Sequence, residues 1–138
     1  MQKAIFGAGC FWGPEEKFSK INGIIKTEVG YCGGNKSQTT YEEVCTGQTN
    51  HAEVVKIEFD EKIISYKEIV NFFFKMHDPT TLNRQGPNKG TQYRSEIFFN
   101  SGEQKKIAFL ICCSLYSAYA ILFVFGICHE ASTILTLE

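Results

Sequence analysis

Between Glu53 and Met76 two different periodicities follow one another, and that succession limits the fold more than any other feature of the chain. From Glu53 to Phe59 the apolar residues fall on Val55, Ile57 and Phe59, with Lys56 and Glu58 between them. This is the period of two of a strand with one buried face. Ser65 and Glu68 then have capping-box spacing, and Tyr66, Ile69, Val70, Phe73 and Met76 behind them share one helical face until Asp78-Pro79. A one-faced strand beside a one-faced helix requires a layered packing of helix on sheet.

The rest of the chain extends this pattern. Lys3 to Ala8 is expected as a buried strand, and the turn at Gly9-Cys10 leads into a helix with Pro14 in its first turn. Gly23 is expected to end that helix, and Ile24 to Tyr31 to form the next strand before Gly33-Gly34. Thr40 and Glu43 form a second capping box, opening a short helix that Gly47 stops. Thr80 to Gly90 is expected as a polar loop and Gln92 to Phe99 as a strand. Interleaved strands and helices in 138 residues imply one core and an α/β (α+β) two-layer sandwich with a mixed sheet.

Charge and cysteine usage exclude several functions. The net charge of −1 offers no basic field for a nucleic-acid backbone. Met1 to Phe6 has one lysine and a very short apolar run, unlike a signal peptide. The six cysteines include no Cys-x-x-Cys, and the three histidines lack zinc-ligand spacing, so no metal is expected. Mostly structural thiols with at least one reactive one indicate a reducing, cytoplasmic setting.

The reactive candidate is Cys10, in Gly9-Cys10-Phe11-Trp12-Gly13. A cysteine at a helix start sits where backbone N–H groups and the dipole favour a thiolate. Phe11 and Trp12 cannot both enter one core, so one should face outward and wall an apolar pocket. The residues alone equally allow a core cysteine flanked by core aromatics. Glu53 shares parity with the apolar face; held there it stays protonated and can donate a proton, whereas at a fraying strand start it would reach solvent. Tyr93 shares parity with Ile97 and Phe99, which puts its ring inside, and Tyr41 opens a capped helix. A soft nucleophile, a neutral acid, nearby hydroxyls and an apolar seat suit attack on the sulfur of a sulfoxide.

The same residues carry a resemblance. Gly9-Cys10-Phe11-Trp12-Gly13, Gly30-Tyr31-Cys32-Gly33-Gly34, Thr40 to Gly47, His51-Ala52-Glu53, His77 to Thr81, Arg84-Gln85-Gly86 and Gly90 to Ser95 occur in the order found in the methionine sulfoxide reductase A family. The chain resembles that family over residues 1 to about 108. The resemblance implies a sandwich with a ferredoxin-like centre and reduction of methionine S-sulfoxide, free or in oxidised proteins. It implies Cys10 as nucleophile, Glu53 as acid, Tyr41 and Tyr93 as hydroxyls on the oxygen, and Phe11 and Trp12 as walls for the methyl group. Thioredoxin is the implied reductant, no cofactor is implied, and a monomer is expected. Asn88 stands where the family has an acidic residue, and it still donates and accepts hydrogen bonds at the substrate.

From 109 to 138 the resemblance stops. Ile107 to Cys128 carries no charged residue. An aberrant or truncated end, a membrane-anchoring helix through 107–128 and a divergent packed terminus all fit such a run. Beside a complete reductase, an inactive fragment that keeps a methionine-binding pocket and a membrane-tethered reductase stay open.

Overall fold

The computed structural model describes residues 1–115, 128–131 and 134–136. Its elements follow the alternation read above. Strand β1 (Gln2–Ala8) leads to helix α1 (Trp12–Ser19), then β2 (Ile24–Cys32), α2 (Tyr41–Cys45), β3 (Ala52–Phe59) and α3 (Tyr66–Met76). A hairpin of β4 (Arg84–Gln85) and β5 (Asn88–Lys89), a 3₁₀ turn (Thr91–Tyr93), β6 (Ser95–Phe99) and α4 (Gly102–Leu115) follow, with β7 (Cys128–Glu130) and β8 (Leu135–Thr136) last. Both capping boxes form: Thr40 with Glu43, and Ser65 with Glu68.

The sheet order is β7-β6-β1-β3-β2-β8. All neighbours are antiparallel except β6 and β7, so the sheet is mixed. Its four central strands run β6-β1-β3-β2, with α1 between β1 and β2 and α3 between β3 and β6. This is the split βαβ, ferredoxin-like arrangement. One face packs Phe6, Tyr31, Val55, Ile57 and Phe59 against Phe18 of α1, Ile69 and Phe73 of α3, and Ile111 and Cys112 of α4. The other face buries a smaller set: Ile5, Cys32, Ala52, Val54 and Phe98.

Several local expectations need correction. Helix α1 ends at Ser19, and Gly23, at φ +98°, sits in the turn beyond it. The loop from Thr80 to Gly90 contains the β4–β5 hairpin. The strand expected over Gln92–Phe99 begins only at Ser95, because Tyr93 N–H and Arg94 N–H bond to Gly90 and Thr91 carbonyls in a 3₁₀ turn. Helix α4 continues through position 108, with Ala108, Ile111 and Cys112 buried, and β7 and β8 pair with β6 and β2. Among the described residues no helix is long and apolar enough to cross a membrane. Residues 116–127, the greater part of the uncharged run, lie outside the described residues.

One side chain ties the end of α3 to the sheet beside the site. His77 Nδ1 donates to the Phe73 carbonyl at 2.6 Å, so its Nε2, 2.8 Å from Ser95 Oγ, accepts from that hydroxyl in the neutral ring. Ser95 pairs with Ala8, the last residue of β1. Burial holds the His77 pKa down to about 4, from an ordinary 6.5. The folded state therefore binds fewer protons here than the unfolded chain. The stability from this clasp is full above pH 6.5 and is lost as pH falls through 4. At 1.36 kcal/mol per pKa unit the loss is about 3 kcal/mol. Urea midpoints measured from pH 7.5 to 4 should fall more steeply for the wild type than for His77→Gln. Equal slopes would show that His77 does not carry this dependence.

Candidate active site

Cys10, the expected nucleophile, follows a turn that only glycine makes easily. Gly9 leaves β1 at φ +87°, and a Cβ there would lie 2.6 Å from Cβ of Gln85. The absent side chain lets the β4–β5 hairpin close against the turn. Gln85 is itself held by Asp78: its Nε2 donates to the Asp78 carbonyl at 2.9 Å, and its Oε1 accepts from the Asp78 amide at 3.2 Å. Cys10 follows, half-buried, two residues ahead of the first residue of α1.

The two aromatics after Cys10 divide as expected, one inward and one outward. Phe11 is buried, whereas Trp12 is 60% exposed. Their rings meet edge to face at 5.0 Å, so the exposed indole is backed by a fixed ring. Phe11 also packs against Tyr31, with ring centroids 5.8 Å apart.

Glu53, which the sequence left between core and solvent, is only 2% exposed. It shares its face with Val55, Ile57 and Phe59 in the main core. Its Oε2 accepts from the Phe11 amide at 3.1 Å. Burial pushes the carboxyl above its ordinary range, and that single N–H bond pulls the other way. The carboxyl group is thus bonded to the residue that follows Cys10 and keeps its proton more readily than a free glutamic acid.

Hydroxyl groups surround it. Tyr41, the first residue of α2, is exposed, and its hydroxyl bonds Cys45, one helical turn on. That bond, then the charge fields of Cys45 and Tyr93, keeps the phenol protonated. Tyr93 is half-buried on its 3₁₀ turn. Its phenol is raised first by burial, then by the fields of Glu53 and Cys45, with a smaller part from Cys10. The parity argument for Tyr93 fails because no strand exists there; the turn positions it. Arg94 braces that turn, donating to the Thr91 carbonyl at 2.9 Å and pairing with the buried Glu96.

Cys10, Phe11, Glu53, Tyr41 and Tyr93 therefore share one site. Asn88 stands exposed on β5, opposite Gln85. The sequence reading did not single out Tyr31. Its signal was strand register, since Tyr31 pairs with Glu53 across β2 and β3, and register is set only when the strands meet. Among the described residues, no three or more His, Cys, Asp or Glu side chains converge in a way that could hold a metal ion.

Known proteins match this chain in sequence and in shape. The family profile described as peptide methionine sulfoxide reductase matches residues 2–121. A peptide methionine sulfoxide reductase MsrA of Pelagibacter ubique is 69% identical over 108 residues, covering 78% of this chain and 74% of the relative. One of Methanothermobacter thermautotrophicus is 55% identical, covering 78% of this chain and 63% of the relative. The chain thus spans from about three quarters to under two thirds of these relatives' lengths. The crystal structure of Mxr1 from Saccharomyces cerevisiae in reduced form has a TM-score of 0.79 at 32% identity, covering 99% of this chain and 80% of that one. Mxr1 has also been solved in complex with Trx2.

The turn at Gly9 makes a direct prediction. Gly9→Ala forces a non-glycine residue into the left-handed region, at about 1–2 kcal/mol, and drives its Cβ into Gln85. Its urea midpoint should fall, and kcat should fall further than the folded fraction explains. A variant with wild-type midpoint and turnover would show that the hairpin's approach to Cys10 is unimportant.

Proposed function

The chain belongs to the peptide methionine sulfoxide reductase family, and from that premise we propose that it reduces methionine S-sulfoxide with Cys10 as nucleophile and Glu53 as acid. The observation that carries this reading is the buried carboxyl of Glu53 bonded to the amide of Phe11, the residue next to Cys10. A sulfoxide sulfur resists attack until its oxygen is protonated or strongly hydrogen-bonded, and a carboxyl that keeps its proton supplies both. The Cys10 thiolate attacks the methionine sulfur as Glu53 passes its proton to the oxygen. The oxygen, with that proton, ends on Cys10 as a sulfenic acid, and the methionine sulfur leaves as a thioether carrying two more electrons. Glu53 is left as a carboxylate and regains a proton from solvent.

Tyr41 and Tyr93, both held protonated, are the donors that grip the oxygen during the attack. Trp12, braced by Phe11, seats the S-methyl group. Asn88 lies on the hairpin that closes on Gly9 and contributes a hydrogen bond at the margin of the substrate. The substrate is free methionine S-sulfoxide or an oxidised protein that offers the side chain at its surface. A dithiol then restores the enzyme: two thiols give a disulfide, Cys10 returns to a thiol and the oxygen leaves as water. Thioredoxin suits this role, in line with the complex of Mxr1 with Trx2. We place the chemistry in residues 1–108, which carry the proposed nucleophile, acid and hydroxyls, while the described part of 109–138 packs on that domain through Ile111, Cys112, β7 and β8. A monomer in the reducing cytoplasm accords with the free thiols of Cys10, Cys45 and Cys113.

Cys10→Ser should abolish reduction of the S epimer, and the R epimer should be inert with the wild type. Glu53→Gln keeps the shape and a hydrogen-bond donor but has no acidic proton, so single-turnover reduction should slow roughly 10²–10⁴-fold. Substantial activity in the serine variant, or an unchanged single-turnover rate in the glutamine variant, would remove that residue from its role.

Recycling makes a separate prediction. Cys45 lies beside the hydroxyls, and its bond to Tyr41 commits it there. After one turnover without reductant, mass spectrometry should find a sulfenic acid or a mixed adduct on Cys10. A stoichiometric disulfide from Cys10 to another cysteine of the chain would show internal resolution instead.

A further inference from the structure

The strongest unexplained group in the core is the hydroxyl of Tyr31. The residue is 1% exposed, and its oxygen has no hydrogen-bond partner among the described residues. A buried hydroxyl without a partner costs about 1–3 kcal/mol, so such a group is satisfied by something besides these side chains. Its place indicates what. Tyr31 and Glu53 stand directly opposite one another in the antiparallel β2–β3 ladder. Directly opposed residues project from the same face of a sheet, with Cβ atoms about 4.5–5.5 Å apart. Both side chains are buried on the helix-covered face, and the Tyr31 ring packs on Phe11, whose amide already donates to Glu53.

The reaction sets a requirement that this geometry meets. When Glu53 gives up its proton it becomes an anion inside the core, and one N–H is its only donor among the described residues. Buried carboxylates are stabilised by two or three donors, and a donor aimed where charge develops lowers the barrier. We propose that Tyr31 is a positioning residue for the acid: its hydroxyl holds an ordered water that donates to the carboxylate Glu53 becomes. Burial and the nearby Glu53 push the Tyr31 phenol up, so it remains a neutral donor at every working pH. This inference rests on the reading of Glu53 as the acid.

Tyr31→Phe removes one oxygen and leaves the ring on Phe11. Circular dichroism and urea midpoints should show it folded and at least as stable as the wild type. Single-turnover reduction of a methionine S-sulfoxide peptide is then followed from pH 5 to 9. Glu53 must be protonated, so the wild-type rate falls as pH rises through its pKa. Losing a donor to the anion raises that pKa. For Tyr31→Phe the falling limb should move up by about one pH unit, and the low-pH plateau should drop about tenfold, with KM unchanged. In the Glu53→Gln background the same substitution should change nothing further. An unmoved limb, a change confined to KM, or an additive loss on Glu53→Gln would each overturn the role of Tyr31. If Glu53→Gln itself keeps the wild-type rate and limb, the acid assignment fails first, and the two failures are told apart.

Discussion

A carboxyl placed in a hydrophobic core either keeps its proton or needs partners for its charge, and Glu53 is buried there with one described N–H partner. Its one described hydrogen bond, to the Phe11 amide, is also the link between the central strand β3 and the turn that carries Cys10. The rest of the arrangement follows from keeping that bond. Gly9 must take a left-handed conformation so that β1 can deliver Cys10 and Phe11 beside β3. Phe11 is buried with its amide pointing inward, and Trp12 beside it is left in solvent.

The fold supplies this bond with rigid supports. β1 and β3 are neighbours in the sheet, in register from Gln2 with Phe59 to Phe6 with Val55, so their ends are fixed relative to each other. On the other side of β1, Ser95 pairs with Ala8 and is held by His77. Tyr93 hangs just before Ser95 on a turn braced by Arg94 and Glu96. Glu53, Cys10 and the Tyr93 hydroxyl are therefore anchored to three adjacent strands. Tyr41 is anchored differently, by a capped five-residue helix between β2 and β3, and is the more exposed of the two hydroxyls. A site built on strands holds distances well.

Particular residues show how far the sequence could be read. The period of two from Glu53 to Phe59 placed Glu53 on the apolar face, and the structure buries it there, because a core strand has only two sides. Both capping boxes were legible because their hydrogen bonds join residues three apart. The same argument misled at Tyr93. Alternation was extended through Gln92–Phe99, whereas Gly90 and the i→i+3 bonds after it coil the first residues into a 3₁₀ turn. Gly23 was taken as a helix stop, yet α1 ends four residues earlier and the glycine serves the turn into β2.

Local chemistry was thus decided by sequence alone: strand parity, helix caps, a cysteine between glycines, and a long uncharged stretch from Ile107. Each is fixed by residues a few positions apart, where geometry is nearly independent of the rest of the chain. Which residues face one another was decided only in three dimensions. Tyr31 lies opposite Glu53, Gln85 packs over Gly9, and Ser95 bonds His77 because β2, the hairpin and β6 dock in one register among several. Register is chosen by the burial of whole faces against helices α1, α3 and α4, a collective free energy with no short-range signature.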